Sequence, residues 1–588
     1  MMNNKVRVAV AQFATTSNVQ ENLATCLRII NKVSVCNPSI IVLPEFCNTQ
    51  PFYEDHNAAW DNALTIDGNF LESIAEEAKK HQCYIMINVS LRRDKARNHR
   101  NFNIKSNISI TSCLIAPSGK LIYKIDKQNL VNYEKVFFSS SENKSVVIPT
   151  SIGNLAGLSG DDCITYKASR KLALAGAQLL CNSMSTYAKD SSAVHEPTRS
   201  SENNVFIASA NKIGSLINKR LLLTHNSIAK DCISEEKLND DYIMGIGQSQ
   251  IISTKGEVLA KLPNNKEGFI YTDIDLHNAN NKLRPDGTDL NIQFRPKLYE
   301  KLLLQLENTS IEKRDSFSKN KVVVTANIAL FATYKSHEEA INDVCFYIEN
   351  NLSDIIQLPA LFFINDGTII NNIKVITRIE KISSQFIEQV KKVLRPLQYL
   401  CTSLVIKGMH QVVLISNKGI IAKQLQLHFC KRYDWTKLGD TITIVDLPLE
   451  QGNIKLAMLT ADDTNIPEIV KTAALYQIEL LLVPFDIQAP YEVDYMFSSR
   501  ATENRICIAA ASREKSFIES ETPDIHNNKN KQKQRKSTGL IVNITTYQNI
   551  LPQWKPIKFN GYVNPPVLKY QYGKITKAVI HPIVAHYK

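Results

Sequence analysis

Two distant stretches of this chain carry the same residues at the same offsets. From Gly160, Arg199 lies 39 positions on and Glu202-Asn203 lie 42 and 43 on; from Ala461, Arg500 and Glu503-Asn504 stand at identical offsets. Each stretch opens on a paired acid, Gly160-Asp161-Asp162 and Ala461-Asp462-Asp463, and runs through an Ala/Leu-rich helical pattern into an apolar strand, residues 178–181 and 479–483. Spacing kept over such a length marks two copies of one domain plan.

The starts of the halves agree. Residues 6–13 and 322–332 read as buried strands. Each is followed by one apolar helix face, Val19, Leu23, Leu27 and Ile30 in the first half and Ala340, Ile341, Val344 and Ile348 in the second. Further strands follow at 40–46 and 355–361, and residues 112–127 read as a hairpin turning at Pro117-Ser118-Gly119. Alternating strands and helices predict a mixed α/β sandwich in each half. The polar stretch 307–320 lacks apolar periodicity and reads as a linker, dividing the chain into domains 1–306 and 321–588.

Composition narrows the function classes. With 44% hydrophobic and 21% charged residues the chain can bury real cores. Its net charge of +12 is spread along the sequence and argues only weakly for an acidic partner. The 12 cysteines form no CxxC pair and no Cys/His ladder, so neither a structural zinc site nor a disulfide framework is expected. Without a secretory h-region or an apolar run of membrane-spanning length, a soluble, reducing, cytoplasmic setting is expected. Residues 522–537 form a basic low-complexity insertion, with Lys529, Lys531, Lys533, Arg535 and Lys536. Lacking aromatic residues for base stacking, it reads as a solvated loop rather than a nucleic-acid contact.

The residues of the first half carry a family resemblance. Leu43-Pro44-Glu45-Phe46, Lys127 within Ile125-Asp126-Lys127-Gln128-Asn129-Leu130, residues 157–162, and the Arg170-Lys171-Leu172-Ala173 helix start resemble the nitrilase, or carbon-nitrogen hydrolase, superfamily. Residues 203–211, 247–249, 256–260, 273–276 and 295–299 agree with it. The resemblance implies two tandem four-layer α-β-β-α sandwich domains, no cofactor and no metal. It also implies acyl transfer to a cysteine thiol, with a Glu as base and a Lys ammonium steadying the tetrahedral species. Glu45 matches the base, Lys127 the cation, and Glu134, seven residues on, the second carboxylate.

The nucleophile is where this chain departs from the pattern. Ten positions before Arg170, where the family places its cysteine, stands Gly160, and the family's following Pro-Glu pair is Tyr166-Lys167. In the second half Ala360 replaces the base, Gln426 replaces the Lys across a one-residue gap, and Ala461 replaces the cysteine. Loss of a nucleophile costs about a million-fold in turnover in a well-studied serine hydrolase. The preferred reading is therefore a catalytically impaired pseudoenzyme with a binding or regulatory role. The alternative is an active amidase or ureidase on a small carbon-nitrogen substrate, using Cys163 with Glu45 and Lys127. Cys163 lies one helical turn past Gly160, where positions i and i+3 are neighbours. A third reading is an interaction protein working through the basic loop.

Plainer roles stand beside these. Free cysteines are usually small buried hydrophobes, which fits Cys163 and Cys181. Glu45 and Lys127 without a thiol make a buried ion pair. Asp161-Asp162 and Asp462-Asp463 lack a third ligand at metal spacing, and His195 and His428 read as isolated surface or packing residues. The partners expected are a small amide or carboxylate ligand, the other half of the chain as an intramolecular pseudo-dimer, and further copies in a homo-oligomer; no membrane is expected.

Overall fold

The computed structural model describes residues 5–93, 107–130, 134–140, 146–217, 244–300, 302, 324–333, 335–350, 352–364, 372–450, 452–504, 506–513, 515–519, 533–537, 540–550, 553–560 and 575–580. Two compact units emerge, Met1–Lys282 with Gln548–Lys555, and Leu283–Tyr547 with Pro556–Lys588.

The first unit holds two six-stranded sheets. In one, the strands run Leu121–Asp126, Ile108–Ile115, Tyr84–Arg92, Ile40–Val42, Lys5–Gln12, Gly268–Asp275 from edge to edge. The middle three, Lys5–Gln12, Ile40–Val42 and Tyr84–Arg92, are parallel. The other sheet runs Ile148–Thr150, Gly153–Ser159, Leu179–Met184, Phe206–Asn211, Gln250–Ile252, Val258–Lys261, again parallel through its centre. The second unit repeats both orders, apart from the segment Gln548–Lys555 that is grouped with the first. Its sheets run Gly419–Leu425, Met409–Ser416, Tyr399–Ile406, Ile355–Ala360, Val324–Leu330, Ile575–Ile580, and Ile444–Leu449, Gly452–Met458, Leu480–Pro484, Cys507–Ala511, Leu540–Ile550, Gln553–Asn560.

Side-chain alternation explains the layering, since successive residues of a strand face opposite sides. Val6, Val8 and Val10 point between the sheets and meet Leu155, Leu179, Cys181 and Phe206. Ala9 and Ala11 point outward and pack with Leu23, Cys26 and Ile30 of the helix Val19–Ser34 and with Ile74 and Ala78 of Asn69–His81. Helix Tyr166–Leu174 covers the outer face of the second sheet through Ala168 and Leu172. Each aliphatic side chain buried in this way contributes roughly 1.5–3 kcal/mol of transfer free energy. The second unit has the same three layers of contact, with helices His337–Glu349 and Ile373–Val393 on one side and Pro467–Leu475 and Phe497–Asn504 on the other. Each unit is thus a four-layer α-β-β-α sandwich.

The expected linker 307–320 lies outside the described residues, as do residues 522–532 of the basic insertion. Residues 533–537 of that insertion form a strand, Lys533–Ser537, paired with Lys515–Glu519. Packing assigns the segment from Leu283 onward to the second unit, whereas the sequence reading gave it to domain 1. Within that unit Gln293 Nε2 donates to Phe429 O at 2.7 Å, and Arg295 Nη1 donates to Gly439 O at 2.8 Å. Among the described residues no helix is long and apolar enough to cross a membrane.

Candidate functional site

Ligand sites in open α/β sheets lie at the carboxyl ends of parallel strands. In the first unit Glu45 follows Ile40–Val42, Gly160 follows Gly153–Ser159 and Ser185 follows Leu179–Met184, while Lys127 ends the antiparallel hairpin strand Leu121–Asp126. The elbow at Glu45 is held by its own amide, which donates to Met184 O at 3.1 Å, and by Phe46, at φ 53°, whose amide donates to Asn88 Oδ1 at 3.0 Å.

These elements bring Glu45, Lys127 and Glu134 together. Lys127 Nζ donates to Glu45 Oε1 at 3.0 Å and to Glu134 Oε1 at 2.9 Å, and all three side chains are 2% exposed. One ammonium between two carboxylates is a strongly coupled buried cluster, in which removing one member leaves the others uncompensated. Ser185 Oγ donates to the second oxygen of Glu45 at 2.6 Å.

Gly160 faces this cluster. A Cβ built on it would lie 2.7 Å from Lys127 Nζ and 2.8 and 2.9 Å from the Glu45 oxygens. The position therefore points at the base and the cation, and those two groups have closed into the space a side chain would take. Its φ of 48° is the left-handed conformation that glycine adopts without cost.

Cys163 ends the single 3-10 turn Gly160–Cys163 but does not join the cluster. It packs with Ala156, Leu158, Ala168 and Leu172 beneath helix Tyr166–Leu174. Burial first, then Glu196, pushes its thiol well above the ordinary range. The sequence expectation of proximity to Glu45 fails because the turn places Cys163 in the apolar layer under the helix, where its charged neighbours are Glu196, Arg199, Glu202 and Asp162 rather than Glu45. Cys181 lies in the inter-sheet core.

Asp162, one of the adjacent acids that the sequence leaves without a third ligand at metal spacing, ties the Lys127 loop to the Gly160 turn. Its carboxylate accepts from Gln128 N at 3.2 Å, Asn129 N at 2.9 Å and Asn129 Nδ2 at 2.7 Å. Burial raises its pKa, against the lowering effect of Lys127 and these donors.

The second unit repeats the frame around different chemistry. Asp463 accepts from Leu427 N at 3.0 Å, His428 N at 2.9 Å and His428 Nδ1 at 2.8 Å, matching Asp162 contact for contact. That match makes Gln426 the equivalent of Lys127 and Ala461 the equivalent of Gly160. Ala360 N donates to Phe485 O at 3.2 Å and Leu361 has φ 45°, so Ala360 stands opposite Glu45. His428 is not isolated: it is fully buried, with Tyr299 Oη 2.5 Å from its Nε2. His195 is also buried, 3.6 Å from Asp190. Near this site Arg432 pairs with Asp462 at 3.0 Å and Asp486 at 3.3 Å. Asp286, Cys430 and Asp462 gather within 4.8 Å of one another, but each is engaged, by Lys431 N and Thr288, by Gln426, and by Arg432 and Gln488 respectively.

The shared offsets also resolve into geometry. Arg199 pairs with Glu202 at 2.8 Å and Arg500 with Glu503 at 3.0 Å, both fully buried, one helical turn apart. Lys212 and Arg513 form a second matched pair that the sequence reading missed. Lys212 Nζ donates to Thr15 Oγ1 at 2.6 Å and Thr49 O at 3.2 Å; Arg513 donates to Thr333 O at 2.8 Å and to the carbonyls of Phe362 and Ile364. Ser185 was also missed, although its place just past a parallel strand was a usable signal.

The carbon-nitrogen hydrolase family model matches residues 7–281. The chain is 26% identical over 307 residues to a probable nitrilase of Schizosaccharomyces pombe, covering 51% of this chain and 99% of that protein. It is 22% identical over 219 residues to an arylacetonitrilase of Aspergillus niger, covering 37% of this chain and 61% of the other. Among solved structures, a carbon-nitrogen hydrolase from Helicobacter pylori is 17% identical, with 51% of this chain and 98% of that one covered and a TM-score of 0.41. An amidase of the nitrilase superfamily from Nesterenkonia, solved as a cysteine-to-alanine mutant, is 17% identical, with 47% and 95% covered and a TM-score of 0.37.

Proposed function

From the premise that the first half of this chain belongs to the carbon-nitrogen hydrolase family, we propose that thiol-dependent hydrolysis is absent from both halves and that the protein has a binding or regulatory role. The second half is then a repeat of the first whose site chemistry has been replaced. One observation carries this reading: the backbone position aimed at Glu45 and Lys127 is Gly160, which offers no attacking atom. The family relationship and the nitrilases among the relatives make a small nitrile or amide the ligand class to try first. A carboxylate and an ammonium side by side suit the polar end of such a molecule.

Ammonia release from a panel of small amides and nitriles, with and without iodoacetamide, tests the reading. The expected result is no iodoacetamide-sensitive turnover. Turnover that disappears on alkylation, and that Cys163→Ser also abolishes, would overturn it. Equilibrium binding of the same panel, read by thermal shift, should raise the melting temperature of the unmodified chain and not of a Glu45→Gln, Lys127→Met double variant.

A further inference from the structure

The cluster keeps one hydroxyl. Ser185 Oγ donates to Glu45 Oε2 at 2.6 Å while Lys127 Nζ holds Glu45 Oε1 at 3.0 Å. A single carboxylate therefore touches a hydroxyl with one oxygen and an ammonium with the other, which assembles nucleophile, base and cation without sulfur. Ser185 is also the member nearest solvent, 9% exposed against 1% for Glu45 and 3% for Lys127.

Two other buried serines of the unit lack one part of this arrangement, and Thr111, whose Oγ1 donates to Asp126 Oδ1 at 2.6 Å while Arg93 holds Oδ2 at 2.8 Å, has a guanidinium in place of the ammonium. Ser159 Oγ is bound to Asn88 and Ser112, both neutral. Ser209 Oγ donates to Glu196 Oε1, but the other Glu196 oxygen takes an amide, Gln250 Nε2 at 2.6 Å, in place of an ammonium. In the second unit the place of Ser185, next after the carbonyl that accepts from the elbow amide, is held by Asp486, paired with Arg432.

Resting on the reading that the thiol route is lost, we propose that Ser185 is an acyl acceptor for small amides and activated esters. Its Oγ forms a bond to the acyl carbon as its proton passes to Glu45, and the negative charge building on the carbonyl oxygen faces the Lys127 ammonium. The tetrahedral species collapses by breaking the bond to the leaving nitrogen or oxygen, which takes the proton back from Glu45. Water then cleaves the serine ester, releasing the acid and restoring the hydroxyl. Glu134 holds Lys127 in place and touches no reacting atom.

The full chain incubated with p-nitrophenyl acetate tests this, read by nitrophenolate release and by peptide mass. One acetyl group is expected on the peptide carrying Ser185. Ser185→Ala abolishes that adduct, Glu45→Gln slows its formation by about 100-fold or more, and Cys163→Ser and Ser209→Ala leave it unchanged. Ser185→Cys, checked for an unchanged melting temperature, takes up acetyl faster and becomes blocked by iodoacetamide. Acetyl found elsewhere, or an unchanged adduct in Ser185→Ala, overturns the proposal. Loss of the reaction on Cys163→Ser would instead overturn the thiol-free function, so the two failures are distinct.

Discussion

The first unit keeps a charged cluster where the second keeps a neutral amide, and both are held in the same backbone frame. Lys127 sits between Glu45 and Glu134, whereas Gln426 Nε2 donates to His428 O at 2.8 Å and its Oε1 lies 3.1 Å from His410 Nδ1. The comparison separates two things a family site inherits: the loops that aim side chains, and the side chains aimed. Here the loops follow the same course in both units while the side chains they carry differ, Lys127 in one and Gln426 in the other.

The largest contrast should appear on removing the central group of each site. Lys127→Met leaves two buried carboxylates without their counter-ion, and a loss of about 3–5 kcal/mol is expected. Gln426→Met removes hydrogen bonds alone, with an expected loss of about 1–3 kcal/mol. Denaturant midpoints compare the two, and equal losses would erase the distinction.

pH responses in two separate ranges sharpen it. Burial holds Lys212 down to about 8 from 10.5, so the folded chain releases that proton before the unfolded chain does. Stability should therefore rise between about pH 8 and 10.5, by about 3 kcal/mol at 1.36 kcal/mol per unit. Lys282 shifts in the same direction, so the Lys212→Met difference isolates the effect. Arg513, opposite Lys212, does not titrate there. In the second unit burial holds His410 down to about 4 from 6.5, so protons bind the unfolded chain first and stability should fall by about 3 kcal/mol as pH drops from 6.5 to 4. His410→Gln should flatten the acid limb and leave the alkaline one untouched.

The smallest effects come from exchanging the two small residues. Gly160→Ala forces a Cβ into the left-handed region and against Glu45 and Lys127, and should cost about 1–2 kcal/mol. Ala461→Gly, at the start of the short helix Ala461–Thr464, should cost about 1 kcal/mol or less. Melting temperatures read both, and a stabilised Gly160→Ala would contradict the tight approach.

Much of this frame is legible in the residues because periodicity records burial. The apolar faces of Val19–Ser34 and His337–Glu349 become helix-to-sheet contacts, and the common offsets become the pairs Arg199–Glu202 and Arg500–Glu503. The alignment of Gln426 with Lys127 agrees with the matched Asp162 and Asp463 contacts. Three features were not legible. The direction of Cys163 is set by its packing against Ala156, Leu158 and the helix that follows, the partners of His428 come from Tyr299 and Asp463 far away in sequence, and Ser185 meets Glu45 only once two sheets have stacked.

Asp162 and Asp463 grip main-chain amides, and main-chain amides are present whatever residue occupies a loop position, proline excepted. A loop anchored by its amides can change composition freely without losing its path. That freedom accounts for how Lys127 on one side and Gln426 on the other follow the same course, and it marks these two aspartates as the points where drift should stop.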